Sequence, residues 1–324
     1  MTGGSIAPWI MERREAPRHN DSYNGILETT TLSDDASTEI ASLREAVRHL
    51  QSQLETVYGL LAQERHRVDI LLAGYEGILK EIDAFHDIRR SESYQKAFTS
   101  SKPLVTILIG TMNRPDLLID RCIRSIQAQT YDNLQIAVIG DHCTDDTGKR
   151  VAELRDSRIS FTNLPKRGPY PRPGRDRWMV AGTYAANLAL SLVEGDFVTY
   201  LDDDDAYAIE RIEILVEAAQ RETADLVWHP FFWRQPDGDW VVHGDGTLEH
   251  AQLGLGMMMY HAYLRRIEFD VHSYRLNEPG DWNLIRKLKA LRPRTHFVNR
   301  PLTYYFKDYT ETPFVAQPGE EFIE

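Results

Sequence analysis

The sequence predicts an α/β protein with a mainly parallel sheet flanked by helices, preceded by one long coiled-coil helix. Three observations carry this expectation. Apolar residues recur in heptads from Ile40 onward, strand-like and helix-like runs alternate after Ser100, and the apolar run 197–201 ends in four consecutive carboxylates, Asp202, Asp203, Asp204 and Asp205. Sheets of this kind bind ligands beyond the carboxyl ends of their strands, which is where the acidic cluster falls.

Taken in order, residues 1–36 are polar, without sustained periodicity, and read as a flexible tail. A helix is expected over about 37–94, within a coiled-coil region of 37–98. One seam position is filled by Ile40, Val47, Leu54, Leu61, Val68, Tyr75 and Ile82, the other by Leu43, Leu50, Val57, Leu71, Ile78 and Phe85, with Glu64 as the one break. Apolar residues held at a 3.5-residue spacing call for a left-handed coiled coil, hence self-association through 40–85. A single helix laid against the body is the alternative, and Gly59, Gly74 and Gly77 weaken a rigid rod.

Beyond Ser100, strands are expected at 104–109, 134–139, 159–162 and 196–201, and helices at 116–129, 145–154 and 178–192. A Pro-, Gly- and Arg-rich loop fills 165–177. Further on, 254–263 reads as a strand closing over the site, 281–291 as a helix and 301–306 as a terminal strand. The expected division is a nucleotide-binding half, 101–235, and an acceptor and base half, 236–324.

Composition narrows the function. The 324 residues carry 49 acidic and 37 basic side chains, a net charge of −12, which argues against a general nucleic-acid binder. Cys122 and Cys143 are too few for a disulfide framework and lack metal-ligand spacing. No apolar run reaches the ~18 residues of a membrane span, and the N-terminus has no signal-peptide core. The expected location is the cytoplasm, with peripheral membrane contact allowed.

Four adjacent carboxylates repel one another and raise one another's pKa, so a cation among them is expected. A hard divalent ion, Mg2+ or Mn2+, would take one or two of them and complete its shell with water and phosphate oxygens. The alternative is an acidic turn capping the helix that begins near Ile209. Two other strand ends are polar. The loop 110–115 offers backbone amides and one cation, through Thr111, Asn113 and Arg114. In 140–147, Asp141 can accept hydrogen bonds from a base or ribose, while Asp145 suits a helix cap. No glycine-rich dinucleotide fingerprint or phosphate loop is present.

Several blocks in order resemble a known family. Thr111-Met112-Asn113-Arg114, Ser125-Ile126-Gln127-Ala128-Gln129-Thr130-Tyr131, Gly140-Asp141-His142-Cys143-Thr144-Asp145-Asp146-Thr147, Ala185-Ala186-Asn187 and Leu201-Asp202-Asp203-Asp204-Asp205 are similar to the nucleotide-sugar-binding half of family 2 glycosyltransferases of the GT-A fold. The resemblance implies that Asp141 contacts the base, that Asp202 and Asp203 belong to the donor contacts with Asp202 on the ribose side, and that Asp204 ligates a metal bridging the diphosphate. Glu278-Pro279-Gly280-Asp281-Trp282 resembles the block that supplies the base of inverting members, which implies Asp281 as base with Glu278 as second choice. The alternative for Asp281 is a helix cap.

Departures matter as well. Gly140 stands where the family has Asp, His142 where it has Gly, and Ala186 where it has Arg, so Arg172, Arg175 and Arg177 become candidates for a diphosphate contact. Lys307 and Asp308 follow the last strand where a metal-binding His often stands. His243 and His261 are secondary candidates for the pocket, and Trp233, Trp240 and Trp282 for a sugar face. The expected activity is metal-dependent inverting transfer of a sugar from a nucleoside diphosphate to a hydroxyl acceptor. The rivals are a nucleotidyltransferase and a non-catalytic coiled-coil scaffold.

Overall fold

The computed structural model describes residues 34–307. The chain divides into two compact units, Met1–Ala62 and Gln63–Glu324. The tail expected over 1–36 lies outside the described residues as far as 33, and its last three residues are already helical. Two helices replace the single one expected over 37–94: α1, Asp34–Ile88, and α2, Glu92–Thr99. The chain turns between them because Ser91 caps α2, its hydroxyl accepting from the Tyr94 amide at 3.2 Å.

Along α1 the heptad residues have two different fates. In the first unit Ile40, Leu43, Val47, Leu50, Leu54, Val57 and Leu61 are all exposed, whereas in the second Ile78 and Phe85 are buried in the main core. What holds this second stretch is aromatic and ionic. Phe85 packs against Tyr94 and Tyr263, and Tyr94 stacks on His261 with ring centroids 3.6 Å apart. The buried Asp225 carboxylate accepts from the Tyr94 hydroxyl at 2.7 Å and pairs with Arg294 at 2.6 Å and Arg89 at 3.3 Å. Each buried charge there has a partner, as burial requires.

The core sheet is formed by β1 (Val105–Thr111), β2 (Leu134–Gly140), β3 (Ile159–Asn163), β4 (Phe197–Tyr200), β6 (Leu226–Trp228), β9 (Met258–His261) and β10 (Thr295–Phe297). Its order is β10-β6-β9-β4-β1-β2-β3. β4, β1, β2 and β3 are parallel, and β9 runs antiparallel between β4 and β6. The strand expected over 254–263 is therefore shorter than anticipated and lies inside the sheet. Continuous apolar runs such as 136–139, buried on both faces, are what a helix-covered parallel sheet demands.

Two expected helices are also interrupted. Residues 115–127 form one helical run, α3, whose centre Leu118–Ile123 is π-helical. The helix expected over 178–192 is two, α5 (Arg175–Val180) and α6 (Thr183–Ser191), separated at Gly182, whose φ of 78° suits glycine. Between these stretches lies α4, Thr147–Glu153. A second sheet, β5-β11-β7-β8, combines β5 (Ala206–Tyr207), β7 (Phe231–Arg234), β8 (Trp240–His243) and β11 (Thr303–Tyr305). Helices α7 (Arg211–Glu222) and α8 (Gly280–Ala290) complete the body.

Candidate active site

The carboxyl ends of β1, β2 and β4 lie side by side, because Thr111 pairs with Gly140 and Leu108 with Tyr200 in the parallel register. Three loops therefore meet at one edge. Two of them turn through left-handed residues, Asn113 at φ 53° and His142 at φ 60°. The Asn113 side chain ties them together, accepting from the Thr144 amide at 2.8 Å and donating to the Thr144 hydroxyl at 3.2 Å. Gly140, where the family has Asp, has a packing reason: a Cβ there would stand 2.4 Å from Asn163 Oδ1, the atom that accepts from the Cys143 amide.

The four aspartates separate into distinct environments. Asp203 is buried, accepts from the Thr111 hydroxyl at 2.7 Å and pairs with Arg114 at 2.6 Å. Asp205 is buried and accepts from the Phe306 amide at 2.8 Å, which ties the cluster to the end of β11. Asp204 is half-buried, its carboxylate 3.0 Å from Arg114 and its carbonyl 2.6 Å from Arg121 Nη1. Arg121 comes from the π-helical turn of α3 and lies over the Phe306 ring at 4.0 Å. Asp202 is exposed to solvent in a recess that the protein otherwise surrounds. That surrounding mass, followed by repulsion from Asp204, Asp203 and Asp281, pushes its carboxyl up to about 7, while the water reaching it moderates the effect.

Among the described residues no group of three His, Cys, Asp or Glu side chains is placed to hold a metal ion. An oxygen-rich, mutually repelling cluster does fit a hard divalent ion held at Asp204 beside the Asp202 charge, with the remaining positions left to substrate and water. Asp203 and Asp205 have their hydrogen bonds directed inward.

Asp281 opens α8 and accepts from the Trp282 amide at 2.7 Å. Burial raises its pKa above the ordinary carboxyl value, and its charge acts on Asp202. Gly254 lies beside it, so that a Cβ there would come within 3.8 Å of Asp281 Oδ2. Glu278, the second choice, is held by Arg286 at 2.8 Å and accepts from Asn283 at 2.8 Å. The two carboxylates are thus separated by environment: one anchored in an ion pair, one at the same edge as the aspartate cluster.

On the β2 side, Asp141 is buried and accepts from the Tyr170 hydroxyl at 3.0 Å, with Arg167 at 3.5 Å. Both partners come from the aperiodic loop 165–177, where the linear sequence carries no signal for them. Of the three arginines expected as diphosphate candidates, Arg177 is fully buried with Nε on the Pro171 carbonyl at 2.8 Å, where it shapes the loop, while Arg172 and Arg175 are exposed. His261 stands at the opposite end of β4 from the aspartates, paired with Phe197, and both its ring nitrogens serve the fold: Nε2 faces the Tyr94 carbonyl at 3.0 Å and Nδ1 accepts from the Tyr263 amide at 3.1 Å. His243 faces the Ala251 carbonyl at 2.7 Å. Trp233 and Trp282 pack on the core, and Trp240 is the more open ring, set against Tyr304 and Phe306.

Against this geometry, the sequence model described as Glycosyl transferase family 2 matches residues 106–278, more than half of the chain. The chain belongs to glycosyl transferase family 2. It is similar to the Campylobacter jejuni GalNAc(5)-diNAcBac-PP-undecaprenol beta-1,3-glucosyltransferase, at 29% identity over 159 residues, 48% of this chain and 44% of that protein. It also resembles the Escherichia coli UDP-Glc:alpha-D-GlcNAc-diphosphoundecaprenol beta-1,3-glucosyltransferase WfgD, at 32% over 126 residues, 39% of this chain and 44% of that one. In fold it is similar to the crystal structure of S. aureus TarS 1-349 in complex with UDP-GlcNAc, with a TM-score of 0.51 at 19% identity over 65% of this chain and 62% of that one. The chain spans about half the length of the curated relatives it matches. No described helix is long and apolar enough to cross a membrane.

Proposed function

We propose that this family 2 chain is a metal-dependent inverting glycosyltransferase, moving a sugar from a nucleoside diphosphate to a hydroxyl acceptor. One observation carries the reading: Asp202, Asp204 and the base candidate Asp281 share one electrostatic neighbourhood at the carboxyl edge of the sheet, although about eighty residues separate them in sequence. Mg2+ or Mn2+ at Asp204 would neutralise the diphosphate as it leaves. Asp202 faces the ribose side, and Asp141, aligned by Tyr170 and Arg167, receives the base. Thr111, Asn113, Arg114 and Asp203 shape the donor loop, with Arg114 a cation able to turn from the carboxylates to the diphosphate.

Asp281 is the base in this reading. Its carboxylate takes the proton from the acceptor hydroxyl as that oxygen attacks the anomeric carbon from the side opposite the leaving diphosphate, giving inversion. A raised pKa makes it a stronger proton acceptor than an ordinary aspartate, and Glu278, neutralised by Arg286, is poorly suited to the role. The names of the relatives support a UDP-hexose donor and a diphospholipid-linked saccharide acceptor, and peripheral membrane contact from the cytoplasm is part of the proposal. Self-association through α1 is part of the proposal. Calorimetry with UDP, GDP and TDP, each with and without Mn2+, followed by a hydrolysis screen over nucleotide sugars, tests it. Absence of any metal-dependent nucleotide binding would sink the proposal.

A further inference from the structure

We infer that residues 40–61 of α1 form a parallel, two-stranded coiled coil with a second copy of this chain. The inference builds on the self-association just proposed but is independent of the chemistry, since it rests on how α1 distributes its apolar residues. Seven consecutive seam residues, Ile40, Leu43, Val47, Leu50, Leu54, Val57 and Leu61, are 36% to 62% exposed. They recur at alternating three- and four-residue steps on one side of a helix, which water solvates poorly.

The same heptad positions farther along α1 have an occupant. Ile78 is 5% exposed and Phe85 fully buried, covered by the chain's own Tyr94 and Tyr263. The seam expected over 40–85 is therefore not one interface. Its last heptads are used within the second unit, whereas the first three are exposed throughout, about 33 Å of helix at 1.5 Å per residue, and past the Glu64 break Val68 is still 50% exposed.

Residue type selects the partner and its orientation. Ile40 and Val47 are β-branched at the first seam position and Leu43 and Leu50 fill the second, the combination that favours two strands in a parallel coil, while the last heptad reverses the types with Leu54 and Leu61 at the first position and Val57 at the second. Glu39 and Arg44 flank the seam on opposite sides, five residues apart. In a parallel, in-register pair Glu39 meets Arg44 of the partner subunit, and symmetry makes that contact twice. A second copy is thus complementary to this surface in apolarity and charge.

Sedimentation of the full chain at micromolar concentration is the first test. A particle of twice the 37.3 kDa chain mass is expected, and a monomer or a trimer overturns the inference. Val47→Asp combined with Leu50→Asp is expected to give a monomer whose thermal unfolding matches the parent in the folded body, because the Phe85 anchor is untouched. A dimer that survives those substitutions would place the interface elsewhere. For orientation, Leu43→Cys and Leu50→Cys are oxidised separately, the native Cys122 and Cys143 being buried. Both are expected to form disulfide-linked dimers, whereas crosslinking at no more than one site would mean an antiparallel pair. A dimer that meets these tests but transfers no sugar would leave the inference standing and reject the proposed activity.

Discussion

Arg114 Nη1 stands 3.0 Å from Asp204 Oδ2, so the carboxylate proposed to hold a metal is already in contact with the protein's own cation. The same nitrogen is 2.6 Å from Asp203 Oδ1, and the Thr111 hydroxyl completes the arrangement. Arg114 thereby offsets part of the repulsion among the aspartates. Its nearly half-exposed side chain leaves it able to exchange carboxylate for phosphate oxygens as the donor arrives.

Arg114→Ala is expected to destabilise the metal-free protein by about 1–2 kcal/mol, because Asp203 keeps its buried charge and loses its cation. That corresponds to roughly 2–4 °C in Tm for a body of this size. Mn2+ should restore more of the loss than it adds to the parent. Scanning calorimetry with and without Mn2+ checks this, and an equal metal effect on both proteins would argue against a shared site.

Asp204→Asn should abolish metal-dependent donor binding. Asp281→Asn should retain it and lower transfer by roughly 10²–10⁴-fold, the usual contribution of a positioned base. Titration calorimetry paired with single-turnover transfer separates the two, and loss of donor binding in both variants would reassign Asp281. Glu278→Gln should act through stability, by freeing Arg286 and Asn283, with kcat nearly intact.

The acid limb of the rate profile follows from Asp281. Burial raises its folded pKa above 3.8, and the base acts only when ionised, so transfer should rise with pH through that raised value. Asp202 titrates near 7 and has the opposite effect on stability: between its unfolded value of 3.8 and about 7, the folded state holds the extra proton, so folding stability falls as pH rises through that window. Mn2+ should therefore raise Tm more at pH 8 than at pH 5. An equal increase at both values would exclude competition between proton and metal.

At the other end of β4, burial lowers the His261 pKa to about 4, and both ring nitrogens are engaged in the neutral form. The unfolded chain binds that proton near 6.5, so this contribution is intact above 6.5 and is lost as pH falls toward 4. Urea unfolding of His261→Phe should show a lower midpoint at neutral pH and a flatter decline on acidification. Asp225→Ala should cost about 3–5 kcal/mol, since it leaves Tyr94, Arg89 and Arg294 without their shared acceptor.

Much of the site was legible in the sequence because strand ends are marked by where an apolar run stops. Val138-Ile139 before Gly140-Asp141, and Tyr200-Leu201 before Asp202, place two carboxylate groups at one sheet edge once the strands are parallel. The residues that align those carboxylates were not legible. Tyr170 and Arg167 sit in an aperiodic loop, and Arg121 reads as an ordinary solvated helix residue until the π-turn aims it at Asp204. Arg211, a fully buried cation bonded to His229, Thr199 and the Gly256 carbonyl, has no signature in the linear pattern either.

By itself the sequence determined the α/β alternation, the carboxylate-bearing strand ends and the heptad spacing of α1, because each is a periodicity or a break in one that the backbone must obey. Only the tertiary structure decided which aspartates face inward, where the antiparallel β9 enters the sheet, and which heptads the body covers. Past β4 the aspartates alternate in burial, and which pair faces inward is set by the partners: Asp203 and Asp205 turn in to Thr111, Arg114 and the Phe306 amide, and Asp202 and Asp204 keep access to solvent. Likewise α1 has one spacing throughout, and the docking of Phe85 beside the Tyr94–His261 stack is what draws its last heptads into the core.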